Sequence, residues 1–212
     1  MNLYSYKMDH DYGLAPNPFW GFMSLAVCKG KIRRNKNLKI GDWIIATGGK
    51  SLGFENRLIY AMKVEKIITF DEYWNNPAYG CKIPVMNGSL AQLYGDNFYH
   101  TSIDGSIVQE PSAHSNPDFT PNESHKERDT KGKYVLLSND FFYFGDNAPL
   151  IPQDLHDIIC NGRDYACPKI PEEIRMAFVR WLKSNYTAGI HGDPISWRNF
   201  KLPELKTFQD AN

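Results

Sequence analysis

A chain of 212 residues with 42% hydrophobic and 14% aromatic side chains can bury a real core, and it fits one domain or one domain with an appendage. Lys plus Arg and Asp plus Glu both number 24. This excludes a grip on long nucleic acid by phosphate neutralisation alone and leaves a local patch or a free nucleotide. The chain lacks an apolar run of about eighteen residues and a signal-peptide pattern, and its scattered Cys28, Cys81, Cys160 and Cys167 are too sparse for a disulfide framework, so a cytoplasmic, reduced setting with no membrane contact is expected.

The first strand is expected over 2–8, with Leu3, Ser5 and Lys7 on one face and Tyr4, Tyr6 and Met8 on the other. GLAPNP (13–18) is a loop, because two prolines and a glycine forbid a regular element. MSLAVC (23–28) gives a second strand, and the basic run 29–39 leads into a buried strand over 42–47. TGGKSLG (47–53) has the look of a phosphate loop, but Ile44 stands where that motif needs its first glycine. A strand follows it, so it reads as a hairpin connection.

RLIYAMKVEKI predicts one long strand over 57–67, and Thr69 with Glu72 forms a capping box for a short helix that Pro77 stops. Residues 79–133 are polar and turn-rich, with brief strand-like runs. KYVLLS (133–138) is a strand, followed by an aromatic turn over 138–146. Pro152 starts a short helix, and Pro171 a longer one to about 186 with Ile174, Ala177, Phe178, Trp181 and Leu182 on one stripe. Strands first and helices last predict an α+β fold whose strands share one curved sheet or barrel with flanking helices. The expected division is a β-rich unit over 1–150 and a helical extension over 151–212 packed on it.

Metal motifs are weak. His156, Cys160 and Cys167 lack the paired spacing and fourth ligand of a zinc site. On an extended chain Asp9 and Asp11 project away from His10. No metal and no cofactor are expected. The sequence also lacks a G-x-S-x-G elbow, a cysteine with a neighbouring histidine, and a dinucleotide fingerprint. If there is acid–base chemistry, Asp9, Asp96, His114 and Asp129 are the groups to supply it.

Three clusters combine flat rings with polar groups: the first 22 residues, YGDNFYHTS (94–102) and EPSAHSNPDF (110–119). Bases are held by aromatic stacking and by side chains that read their polar edges. The clusters therefore predict a base or nucleotide pocket with Tyr6, Lys7, Asp9, Asn17, Trp20, Tyr94, Asp96, Asn97 and His114 as its candidate residues. Arg33 and Arg34, in the densest basic stretch, are the candidates for a phosphate backbone.

GDWIIATG and RLIYAMKVEKIITFDEYW resemble PUA-like domains, including the EVE and ASCH groups. YSYKMDHDYGLAPNPFWG, YGDNFYH, His114-Ser115, VLLSNDFFYFGDNAP and GIHGDPI resemble the bacterial and phage family of nucleotide modification associated domains, type two. The resemblance implies recognition or processing of a modified nucleobase, in DNA or as a nucleotide, within a DNA-modification system. A base-modifying or base-removing enzyme and a structural, partner-binding module are the alternatives. It implies no catalytic residues; in PUA-like relatives the pocket lies between barrel and loops, where Tyr6, Asp9, Asn17, Trp20, Asp96, Asn97 and His114 would stand.

Overall fold

The computed structural model describes residues 1–162, 165 and 169–199. The first strand, β1 (Leu3–Met8), is followed by a long loop and the short β2 (Met23–Leu25). A four-residue helix, α1 (Gly30–Arg33), then precedes β3 (Trp43–Gly48), β4 (Leu58–Lys63) and β5 (Lys66–Thr69). Helices α2 (Phe70–Asn75) and α3 (Leu90–Leu93), the hairpin β6 (Tyr99–Thr101) and β7 (Ile107–Gln109), and α4 (Glu123–Thr130) fill the middle of the chain. Strands β8 (Tyr134–Ser138) and β9 (Phe141–Tyr143), helix α5 (Glu172–Asn185) and a short β10 (Gly189–Ile190) complete it.

The fold is mixed α+β, but its strands do not share one sheet and no sheet closes into a barrel among the described residues. Five strands run in the order β1-β3-β4-β9-β10, three in the order β2-β8-β5, and β6 pairs only with β7. The expected strand over 57–67 breaks at Val64 and Glu65. Val64 N–H still donates to Asp42 O at 2.8 Å, whereas Glu65 N–H donates to Leu137 O at 2.9 Å, so the chain changes sheets between them. The return crossing lies between β8 and β9, where Asn139 N–H donates to Glu65 Oε2 at 2.6 Å. The expected aromatic turn over 138–146 is therefore partly a strand, with Phe141, Phe142 and Tyr143 paired to Met62, Ala61 and Tyr60.

Strand β3 is buried along its whole length. It lies between parallel β1 and antiparallel β4 with both faces covered, which explains a continuous apolar run in place of alternation. The stretch 47–53 closes β3 at Gly48 and opens the connection, 49–57, to antiparallel β4. On β8, Leu136 enters the larger apolar cluster while Val135 and Leu137 enter a smaller one. The two-residue period of one strand thus separates the two cores. Helix α5 drives Phe178 and Leu182 into the larger cluster, with Ile174, Ala177 and Trp181 packed partly buried beside them.

Helix α2 has the expected capping box on Thr69 and Glu72. Helix α4 was hidden in the sequence because ESHKERDT carries no apolar stripe; Asn122 caps it and Asp129 is the residue it buries. No helix of the described residues is long and apolar enough to cross a membrane.

Candidate functional site

A cavity of about 360 Å³ opens where the end of β1, the loop after it, the β2–α1 turn, the end of α3 and residues 113–114 meet. Asp9, His10 and Tyr12 supply one wall, Leu93 and Tyr94 a second, and Cys28, Lys29 and His114 a third. The volume lies within the range of small-ligand sites. Tyr12 and Tyr94 are stacked with centroids 5.3 Å apart and planes 23° from parallel. Tyr94 is fixed from behind: its carbonyl accepts a 2.9 Å hydrogen bond from Asn17 Nδ2. Asn17 is in turn clamped by Lys82, whose Nζ donates to Asn17 Oδ1 at 2.7 Å, Asn17 O at 2.9 Å and Phe22 O at 2.9 Å. Burial drives the Lys82 ammonium down to about 7, against the attraction of Asp96.

The deepest charged pair joins the third wall. His114 Nδ1 lies 2.6 Å from Asp129 Oδ2. Asp129 is fully buried and also accepts from Tyr99 Oη at 3.1 Å and from the backbone N–H of Cys28 at 2.9 Å. Burial opposes the charge on His114, but hydrogen bonds to Asp129 and to the Cys28 thiol, with their charges, push its pKa up to about 9. Burial likewise opposes the Asp129 carboxylate, and the His114 hydrogen bond and charge outweigh it, holding the group below the usual range. The carboxylate therefore accepts and Nδ1–H donates. His125 packs edge-on against His114 at 4.6 Å, and His10 and Arg128 also act on the pair electrostatically.

Cys28 sits in a turn that ordinary residues avoid. Its φ is 53° and that of Lys29 is 37°, both left-handed. Arg33 holds the turn: its Nε donates to Cys28 O at 2.8 Å, Nη2 to Asp129 O at 2.6 Å and Nη1 to Tyr134 O at 2.7 Å. Burial lowers the guanidinium to about 10, opposed by Asp129. Gly132 makes room for it, because a Cβ there would lie 2.3 Å from Arg33 Cζ.

The model of nucleotide modification associated domain 2 matches residues 1–201. The chain belongs to that family. Membership suggests a role in a DNA-modification system and involvement with nucleotides or DNA. No curated protein and no solved structure matches the chain.

The residues singled out in the sequence of this family member divide sharply. Asp9, Tyr94 and His114 line the cavity, and Asp129 stands directly behind His114. Tyr6 lies beneath: it is fully buried, bonds Tyr60 Oη at 2.9 Å and carries Lys29 Nζ 4.1 Å over its ring. Asn17 holds Tyr94 from outside the cavity. Asp96 accepts from Tyr73 Oη at 2.8 Å, and Asn97 Nδ2 donates to Tyr73 O at 3.0 Å, so these two buried groups serve the fold around α2. Lys7 is exposed on β1, and Trp20 is 44% exposed; neither lines the cavity.

Arg33 requires a correction. At 1% exposure, with its guanidinium on three backbone carbonyls, it cannot meet a phosphate. Arg34 is exposed and shares an open groove with Lys31, Arg128 and Lys131. Asp9 and Asp11 do not project together away from His10 as an extended chain would require: β1 ends at Met8, Asp9 shares the cavity wall with His10 and accepts from Ser51 Oγ at 3.2 Å, and Asp11 turns inward to Tyr143 Oη at 2.7 Å. His156 bonds Ile151 O at 3.1 Å and Cys160 is buried, while Cys167 lies outside the described residues.

No histidine neighbours Cys28 in sequence, yet the fold brings it to His114. Its partners are distant in sequence, Asp129 by 101 positions. Lys29 and Tyr12 were in view as members of a basic run and an aromatic cluster, without a signal that they face the same space.

Proposed function

We propose that this chain binds a nucleobase or nucleotide in the 360 Å³ cavity and processes it chemically within a DNA-modification system. The observation that carries the reading is the convergence of three polar-aromatic segments on one space: Tyr12, Tyr94 and His114 all face it. A ring the size of a base stacks on a tyrosine face, and the polar groups around it give orientation. Processing is favoured over recognition alone by the buried His114–Asp129 pair at the cavity wall, since edge reading needs no such charged pair.

The groove of Lys31, Arg34, Arg128 and Lys131 adjoins Gly30, next in sequence to the cavity residue Lys29, and gives a phosphate its path. Glu127 in the same groove keeps that path local, in line with the balanced net charge. The β3–β4 pair, with β5 leading into capped α2, is the feature that supports a PUA-like core, here with open sheets.

A thermal-shift screen against nucleosides, nucleotides and short single-stranded oligonucleotides, canonical and modified, tests the reading. A rise in Tm with one of these ligands that Tyr94→Ala removes is the expected result. Absence of any shift across the whole panel overturns it.

A further inference from the structure

We propose that Cys28 is the nucleophile of this cavity, set against His114 and Asp129 so that its sulfur adds to C6 of a pyrimidine base. The proposal rests on the nucleotide reading above and names the substrate class of the same site.

Geometry carries it. Cys28 and His114 share the third wall of the cavity. Asp129 grips both partners at once, accepting the Cys28 backbone N–H on Oδ1 at 2.9 Å and lying 2.6 Å from His114 Nδ1 through Oδ2. Asp129 thus orients His114 and fixes the backbone of Cys28, and His114 in turn hydrogen-bonds the Cys28 thiol; a carboxylate-held histidine on a thiol or hydroxyl is the arrangement that activates such nucleophiles on unrelated folds. The backbone supports the same assignment. Cys28 and Lys29 hold consecutive positive φ values in a turn between β2 and α1. Two such residues persist only where their surroundings enforce them, typically at functional sites. Here Arg33 and Asp129 enforce them. A tight strand-to-helix turn that lifts one side chain into a cavity is also how nucleophile elbows work.

The substrate class follows from the chemistry of sulfur. A thiolate adds readily to a carbon conjugated with a carbonyl. Among unmodified bases, C6 of a pyrimidine is such a carbon, whereas a purine offers no equivalent position without a leaving group. In the step, Cys28 reacts as the thiolate of a thiolate–imidazolium pair, its proton already resting on His114, and the sulfur electron pair forms the S–C6 bond. The C5=C6 π pair shifts toward C5 and, in uracil, into the C4 carbonyl. The imidazolium then returns a proton to C5. The sum is S–H added across C5=C6, with no oxidant or reductant. Reversal releases the base with a solvent hydrogen at C5. Asp129 is a positioning residue in this scheme, because it acts through His114.

Two measurements on the full chain test it. Wild-type protein is alkylated with iodoacetamide across a pH series and each cysteine followed by peptide mass mapping, with exposed Cys81 as the reference thiol. Cys28 should react at least about 10-fold faster than Cys81 at pH 7, and Asp129→Asn should remove that advantage and shift the pH profile. In parallel, dUMP, dCMP and a single-stranded oligonucleotide containing both bases are incubated in deuterium oxide and the C5–H signal is read by NMR. Exchange should occur with wild type and slow at least about 100-fold in Cys28→Ser, while the thermal shift given by the same ligand persists. If none of these probes binds, the nucleotide reading falls for pyrimidines and this proposal falls with it. If one binds and C5–H is retained by wild type, or is lost as fast in Cys28→Ser, the nucleophile is overturned while the binding site stands. A Cys28 no faster than Cys81 toward iodoacetamide overturns it as well, without any variant.

Discussion

The two cores of this molecule are built on different chemistry. The larger one, around the five-stranded sheet and α5, is filled by side chains such as Ile44, Ile59, Phe142 and Phe178. The smaller one, around Leu14, Val27, Phe98 and Tyr99, is laced with buried polar groups, among them Asn17, Lys82, Asp96, His114 and Asp129. Apolar burial is non-directional and tolerates approximate fit. Buried polar groups instead need their partners in place, since each orphaned donor or acceptor costs about 1–3 kcal/mol. The cavity opens beside the smaller core, so its stability and its chemistry depend on the same few side chains.

Truncation in each core should separate the two. Phe178→Ala is the largest effect expected, a stability loss of about 4 kcal/mol by chemical denaturation, since Phe178 is fully buried. Ligand binding measured on the folded fraction should not change. Trp181, only partly buried on the same helix, should cost clearly less. Arg33→Met should lose about 3 kcal/mol and, unlike Phe178→Ala, should also impair the cavity. Its loss leaves the carbonyls of Cys28, Asp129 and Tyr134 without their buried donor and frees the Cys28 turn.

A pH series sharpens the contrast, because among the described residues the larger core has no counterpart to the His114–Asp129 pair. The His114 value rises from 6.5 to about 9 in the folded protein, so its stabilising contribution is fully present below pH 6.5 and is lost as pH climbs through about 9. Asp129 acts at the acid end: its lowered value stabilises above the ordinary carboxylate range and is lost as pH falls below it. Cys28, His125, His10 and Arg128 also face or act on the pair and set its local field. His114→Gln should therefore cost about 3 kcal/mol near pH 6, and the gap from wild type should close as pH rises through about 9. A gap independent of pH would show that His114 contributes by packing on Phe98 and His125 alone.

The same division explains what the sequence disclosed. Strands β1, β3, β4 and β8 and helix α5 were legible because their apolar residues repeat at short range. The capping box at Thr69 was legible because its partners lie three residues apart. The change of sheet at Val64 and Glu65 was not, since nothing in KVEKII signals that its hydrogen bonds go to Asp42 and then to Leu137. His114 and Asp129 stood on the candidate roster one by one, but their meeting with Cys28 depends on contacts up to 101 positions apart. Arg33 misled for a related reason. A basic run looks solvated, yet one member turns inward wherever three carbonyls and a glycine make room for it.

The smallest difference tests the aromatic-rich opening of the chain, which the fold splits in two. Tyr12 faces the cavity and stacks on Tyr94, whereas Trp20, eight positions on, stands 44% exposed with φ at 68° and lines no part of it. Stacking on one ring contributes about 1–3 kcal/mol per base, so Tyr94→Ala should weaken nucleotide binding by about 5- to 150-fold. Trp20→Gly should leave binding unchanged and stability within about 0.5 kcal/mol, because glycine accepts the positive φ and the indole is half in water. Titration calorimetry with the best ligand of the thermal-shift panel compares the two directly. Equal losses at Tyr94 and Trp20 would mean that the ligand spreads over the Trp20 surface, and the cavity assigned here would be too small a part of the site.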